Sequence, residues 1–86
     1  MFFVIDIYYY MILSNAKINQ KYIVKSVKVC NNKINVRLQE LGLYTGAIVT
    51  LYKFSPLKKT ILVQIFNSLF AMKTDVAKNI FVEEFS

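Results

Sequence analysis

Cys30 is the only cysteine of a chain of 86 residues that contains no histidine, and these two facts bound its chemistry. Without imidazole, the commonest general base near neutral pH is missing. One thiol and no imidazole are too few of the usual nitrogen and sulfur donors for a zinc or other transition-metal site built from this chain alone. Ser14, Ser26, Ser55, Ser68, Ser86 and Cys30 have no histidine to activate them. Five acids are spread along the chain, and only Glu83 and Glu84 are neighbours. Adjacent residues of a strand point to opposite faces, so these two do not form a paired carboxylate site. Gly42 and Gly46 are the only glycines, too few for a phosphate-cradling loop. The residues do not equip the chain for catalysis on its own, and no cofactor site is expected. Binding is what remains.

The charged and aromatic residues bear on binding. The net charge is +6, but the eleven basic residues are scattered and their closest pair is Lys58-Lys59. No run reaches the five or six like charges, roughly, of a nucleic-acid arm. Tyr22, Tyr44, Tyr52 and Phe54, with Lys21, Lys25, Lys53, Lys58 and Lys59, are what a small barrel would lay over one face to bind nucleic acid. The competing reading puts most of these aromatics in the core, as a short chain requires. Arg37 has two options, an ion pair with Glu40 at i+3 or backbone carbonyls of the neighbouring sheet. A lone cysteine rules out an intrachain disulfide and fits a reducing compartment.

The elements that must position these residues follow from pattern. Eighty-six residues make one domain, and 56% of them are apolar, rich in the β-branched and aromatic types that suit a pleated surface. The first thirteen residues are strongly apolar, but a membrane-spanning helix needs about 20 such residues and this run carries Asp6. It also lacks the basic start of a secretory signal. It reads as an extra strand, as a membrane-touching or partner-binding extension, or as the product of an upstream start with Met11 as the true one. Residues 1–12 are accordingly set apart from a domain spanning 13–86.

A β-branched, imperfectly alternating run predicts a strand at 21–29. Cys30-Asn31-Asn32-Lys33 is a turn signal, and Asn32 or Asn35 is expected to cap the helix that follows. Ile34, Leu38 and Leu41 fall on one face of that helix, with Gln39 and Glu40 pointing away. Gly42 sits at its C′ position, where glycine enters the left-handed region without steric cost. Gly46 marks a second turn, feeding a strand at 47–54. Ser55-Pro56-Leu57-Lys58-Lys59 breaks that strand. A third strand at 60–66 turns at Asn67-Ser68 into a fourth at 69–72. Thr74 is expected to cap one helical turn, Asp75-Val76-Ala77-Lys78. A last strand at 79–82 leads into a polar tail, Glu83-Glu84-Phe85-Ser86. Five short strands, one short helix and one helical turn predict a mainly β fold, a small closed or partly closed barrel.

The segment Arg37-Leu38-Gln39-Glu40-Leu41-Gly42-Leu43-Tyr44-Thr45-Gly46-Ala47-Ile48-Val49 resembles the R-L-x-E-L-G-[LI]-x-x-G-x-x-[VI] signature of the FeoA family. Ser55-Pro56-Leu57 is similar to the family's a-P-l loop and Leu69-Phe70-Ala71-Met72-Lys73 to its l-x-A-L-R strand. Ala77-Lys78-Asn79-Ile80-Phe81-Val82 is similar to the A-x-x-I-x-V ending. The family has glycines where Asn19 and Asn67 stand, G-D-P where this chain has Lys58-Lys59-Thr60, and arginine at Lys73. The resemblance implies an SH3-like barrel, also found in iron-dependent repressors of the DtxR type, here without their helix-turn-helix. It implies a cytoplasmic accessory protein of ferrous iron uptake, reaching the inner face of the membrane through the FeoB transporter and binding neither iron nor nucleotide itself. Arg37, Leu38, Glu40, Leu41, Gly42 and Gly46 are then expected to define the fold. Tyr44, Leu57, Lys58 and Lys59, on turns beside the barrel, are expected to touch the partner. Two other readings stand beside it, a basic nucleic-acid-binding barrel and a homo-oligomer formed through an exposed apolar patch.

Overall fold

The structure is a computed structural model that describes residues 10–85. The strands are β1 (Met11–Ile12), β2 (Lys21–Val27), β3 (Ile48–Phe54), β4 (Thr60–Ile65), β5 (Ser68–Lys73) and β6 (Ile80–Glu84). A 3-10 turn (Leu13–Asn15) follows β1, helix α1 (Asn32–Glu40) follows β2, and a single helical turn α2 (Thr74–Ala77) follows β5. All six strands join one antiparallel sheet in the order β1-β6-β2-β3-β4-β5. The sequence predicts five strands. The sixth is β1, two residues of the apolar N-terminal run paired with Val82 and Phe81. The other part of that run, residues 1–9, lies outside the described residues. Among the described residues β5 and β1 do not pair with each other, so the curled sheet is not closed.

Alternation buries one face of β2, β3, β4 and β6, while Phe70 and Met72 of β5 are half-buried against the same core. Tyr22 and Val24, Val49 and Leu51, Ile61, Val63 and Ile65, and Ile80 and Val82 are all buried, joined by Leu13, Leu38 and Leu43. Two bulges explain where the alternation breaks. The β2–β6 register skips between Val24 and Ser26, leaving Lys25 unpaired, and the β3–β4 register skips between Leu51 and Lys53, leaving Tyr52 unpaired. Each extra residue bends its strand and reverses the phase of burial beyond it. Phe54 thereby packs against the core three positions after Leu51. β2 ends at Val27, two residues short of the expected strand.

Three further expectations need correction. The β4–β5 turn is Phe66-Asn67, because Ile65 and Ser68 already pair. Its left-handed residue is Phe66 (φ 56°), and Asn67 keeps a negative φ. The last strand runs through Glu84, so Glu83 and Glu84 belong to the sheet, and Glu83 faces Lys25 at 3.6 Å. Thr74 does not cap α2. Its hydroxyl donates to the Lys58 carbonyl at 2.6 Å, and the N-cap position is Lys73, whose side chain makes no capping bond.

Candidate functional site

The 37–46 corner is built by helix α1 and two turns. α1 starts at Asn31, whose side-chain oxygen accepts from the amides of Lys33 at 2.9 Å and Ile34 at 3.1 Å. These are the second and third helical amides, the pair an N-cap satisfies. The cap is therefore neither Asn32 nor Asn35. Asn32 is already helical, and the Asn35 side chain donates to the Val29 carbonyl.

At the other end, the Leu43 amide donates to the Leu38 carbonyl at 2.8 Å and the Gly42 amide to Gln39 at 3.0 Å. This pair of bonds, around a left-handed C′ residue, is a Schellman motif, and buried Leu38 and Leu43 supply its apolar contact. Gly42 has φ 95°, and a Cβ there would lie 2.7 Å from Cε2 of Phe66. Conformation and space both demand glycine. Gly46 has φ 97° with open space around it, so only conformation demands it. It occupies the third position of the Tyr44–Ala47 turn, closed by the Ala47 amide on the Tyr44 carbonyl at 2.9 Å, the place where a type II turn needs positive φ. The Gly46 amide then donates to Val24 at 2.8 Å, fixing the corner to β2.

Of the other residues of the motif, Leu41 is half-buried, while Arg37 and Glu40 are exposed. The described residues hold two ion pairs, Lys25–Glu83 and Lys78–Asp75, and neither involves Arg37 or Glu40. Arg37 instead borders a shallow apolar groove between α1 and β5, floored by Ile34, Leu38, Phe70 and Met72.

The four residues expected to touch a partner do not form one site. Tyr44, 47% exposed, precedes β3 and shares a groove with Lys21 and Phe66. Leu57, Lys58 and Lys59 follow β3, a strand of seven residues and hence about 20 Å in length. Their loop is tightly held. The Lys58 amide donates to Ser55 and the Ser55 amide to Thr60, both at 2.9 Å, and the Thr60 amide reaches the Ser55 hydroxyl at 3.2 Å. Pro56 takes the second position of the Ser55–Lys58 turn, as its fixed φ favours, and Lys58 is left-handed at φ 58°. The Thr74 amide and hydroxyl clamp the Lys59 and Lys58 carbonyls onto α2.

The aromatic and basic residues do not share a face either. Tyr22 is fully buried, with its hydroxyl accepting from the Lys17 amide at 2.9 Å, and Phe54 is half-buried. Sequence reasoning missed Phe66, 67% exposed beside Tyr44, because it set the hairpin turn one residue too late. It also did not anticipate that Lys73 and Lys78 join Lys58 and Lys59 around one cleft. Among the described residues, no helix is long and apolar enough to cross a membrane, and no three acidic or cysteine side chains gather to hold a metal ion.

The fold and sequence are similar to those of known proteins. The sequence model of the FeoA domain matches residues 11–84. The FeoA protein of Chlorobium tepidum, solved in solution, superposes with a TM-score of 0.83 at 32% identity, over 88% of this chain and 71% of that one. The FeoA of Stenotrophomonas maltophilia, crystallised with zinc and described as a prokaryotic SH3 domain protein, gives 0.72 at 32% identity, over 85% and 89%. IdeR of T. acidophilum gives 0.76 at 17% identity over 88% of this chain but 34% of its own length, a likeness of fold alone. Curated proteins yield no match. The fold is thus SH3-like and mainly β, and the chain belongs to the FeoA domain family.

Proposed function

We propose that this protein is a cytoplasmic accessory subunit of ferrous iron uptake that docks on the cytoplasmic part of a FeoB-type transporter and modulates it through protein contacts. The observation that carries this reading is the family match over residues 11–84. Membership of the FeoA family supports a role in ferrous iron transport, and the crystallised Stenotrophomonas protein is described as a candidate ferrous iron transport activating factor. The finer step, contact with the transporter, rests on what the chain has to offer. It has one cysteine, no histidine and no phosphate-binding loop, so it acts through its surface rather than by handling iron or nucleotide.

Tyr44 is the residue we assign to the protein interface. It stands exposed beside Phe66, and tyrosine is among the residue types enriched at the energetic hot spots of protein interfaces. The test is capture of the transporter from a detergent extract, with this chain as bait. Recovery is expected at low and moderate salt, and failure at both sinks the reading. Tyr44→Ala should weaken capture at least tenfold, a loss of about 1.4 kcal/mol or more, while leaving the thermal midpoint unchanged. If Tyr44→Ala captures as well as the parent, the interface lies elsewhere.

A further inference from the structure

We propose that the end of the barrel formed by the 55–59 loop and α2 docks on an anionic lipid surface. Lys58, Lys59, Lys73 and Lys78 are spread along the sequence, yet they line one shallow cleft with Thr74 and Asp75. The β4–β5 register brings them together by pairing Thr60 with Lys73, which sets α2 directly against the loop. Asp75 is the one acid in the cleft. It lies 3.8 Å from Lys78 with its side chain 91% exposed, so four cations outnumber one anion.

Leu57 projects from the tip of the same loop, 77% exposed, the most exposed large apolar side chain among the described residues. An apolar tip on the loop that carries two of the cleft's four cations suits an anionic bilayer. The lysines draw the loop to the negative headgroups, and the leucine enters the layer beneath them. The clamp of Thr74 on the Lys58 and Lys59 carbonyls keeps the loop ordered beforehand, so docking costs little conformational freedom.

The same features argue against a nucleic acid as the occupant, which would want exposed aromatics for base stacking. The aromatic beside this cleft, Phe54, is half-buried, and the Lys58 ammonium lies 6.0 Å from its ring. Lipid docking stands apart from the choice of protein partner, because Tyr44 sits at the other end of β3.

The experiment is sedimentation of the full chain with vesicles of phosphatidylcholine alone and of a phosphatidylcholine–phosphatidylglycerol mixture. Binding is expected to the mixed vesicles only, and to weaken as salt rises. Lys59→Ala and, separately, Lys78→Ala should each lower the partition coefficient about fivefold, the equivalent of about 1 kcal/mol for one cation near an anionic surface. Leu57→Ser should lower it as well. Lys21→Ala, beside the Phe66-Asn67 turn at the other end of β4, should leave it unchanged, which separates a local patch from net charge. All four variants are expected to keep the parent's thermal midpoint. Absence of binding to either vesicle overturns the proposal. So does equal binding to both vesicles that Lys59→Ala does not change, which would assign the affinity to the apolar residues 1–12. Binding to a DNA oligonucleotide with the same loss on Lys59→Ala, and none to vesicles, would overturn it in favour of nucleic acid.

Discussion

Gly42 and Phe66 meet so closely that a side chain at the glycine would clash. The glycine ends α1 with φ 95°, and the phenylalanine, itself left-handed at φ 56°, lays its ring where a Cβ would stand. Gly42→Ala therefore carries two costs, about 1–2 kcal/mol for a side chain in left-handed backbone and roughly 1–3 kcal/mol for overpacking against the ring. Gly46→Ala carries only the first, about 1–2 kcal/mol, because nothing lies within reach of its Cβ. Urea denaturation should rank the two in that order. Adding Phe66→Ala to Gly42→Ala should recover at least about 0.5 kcal/mol relative to the sum of the single changes. Strict additivity would show that the ring is not what confines Gly42. The conformational half of this was readable in the sequence, since glycine after an amphipathic run is a helix stop. The spatial half was not, because Phe66 comes from a hairpin twenty-four residues away whose turn the pattern placed one residue late.

At the scale of elements, the consequential detail is which asparagine starts α1. Asn31, Asn32 and Asn35 all have the right chemistry, and the pattern points to Asn32 or Asn35, with Asn31 in the turn before them. Geometry selects Asn31, because it alone keeps extended backbone at φ −81° and ψ 116° while its side chain reaches two free amides. Asn31→Ala should lower stability by about 1 kcal/mol, whereas Asn32→Ala should stay within about 0.5 kcal/mol of the parent. Equal effects in chemical denaturation would remove the assignment. The same contrast runs through the sheet. Strands 48–54 and 60–65 were legible within a residue or two because one face is buried and alternation is enforced. The bulge at Lys25 showed only as imperfect alternation and the one at Tyr52 did not show at all, since an extra residue reveals itself through its partner strand and not its own. Thr74 shows a similar limit. A threonine before a helical turn suggests a cap, but a carbonyl from the 55–59 loop reaches its hydroxyl first.

For the whole molecule, pairing across the sheet decides what the linear chain conceals. The sequence shows eleven scattered basic residues, and antiparallel register gathers four of them at one end. It likewise separates Tyr44 from Leu57, which a reading by loops had grouped. The family signature was legible because it records a local corner, a helix stop and a turn spaced by chemistry that stays within ten residues. The surface patches were not, because they depend on strand order.

That strand order also bears on where the chain could be cut. β6 lies between β1 and β2, with Met11 opposite Val82, so the two ends of the described chain leave the sheet side by side. The architecture is close to circular. A permutant that joins residue 85 to residue 10 through a short flexible linker, and opens between Phe66 and Asn67, should fold to the same sheet with a cooperative thermal transition. It would free Phe66 from its left-handed constraint while keeping every strand neighbour. A permutant without a cooperative transition would show that the β4–β5 connection is needed to hold the native sheet, not merely to join two strands.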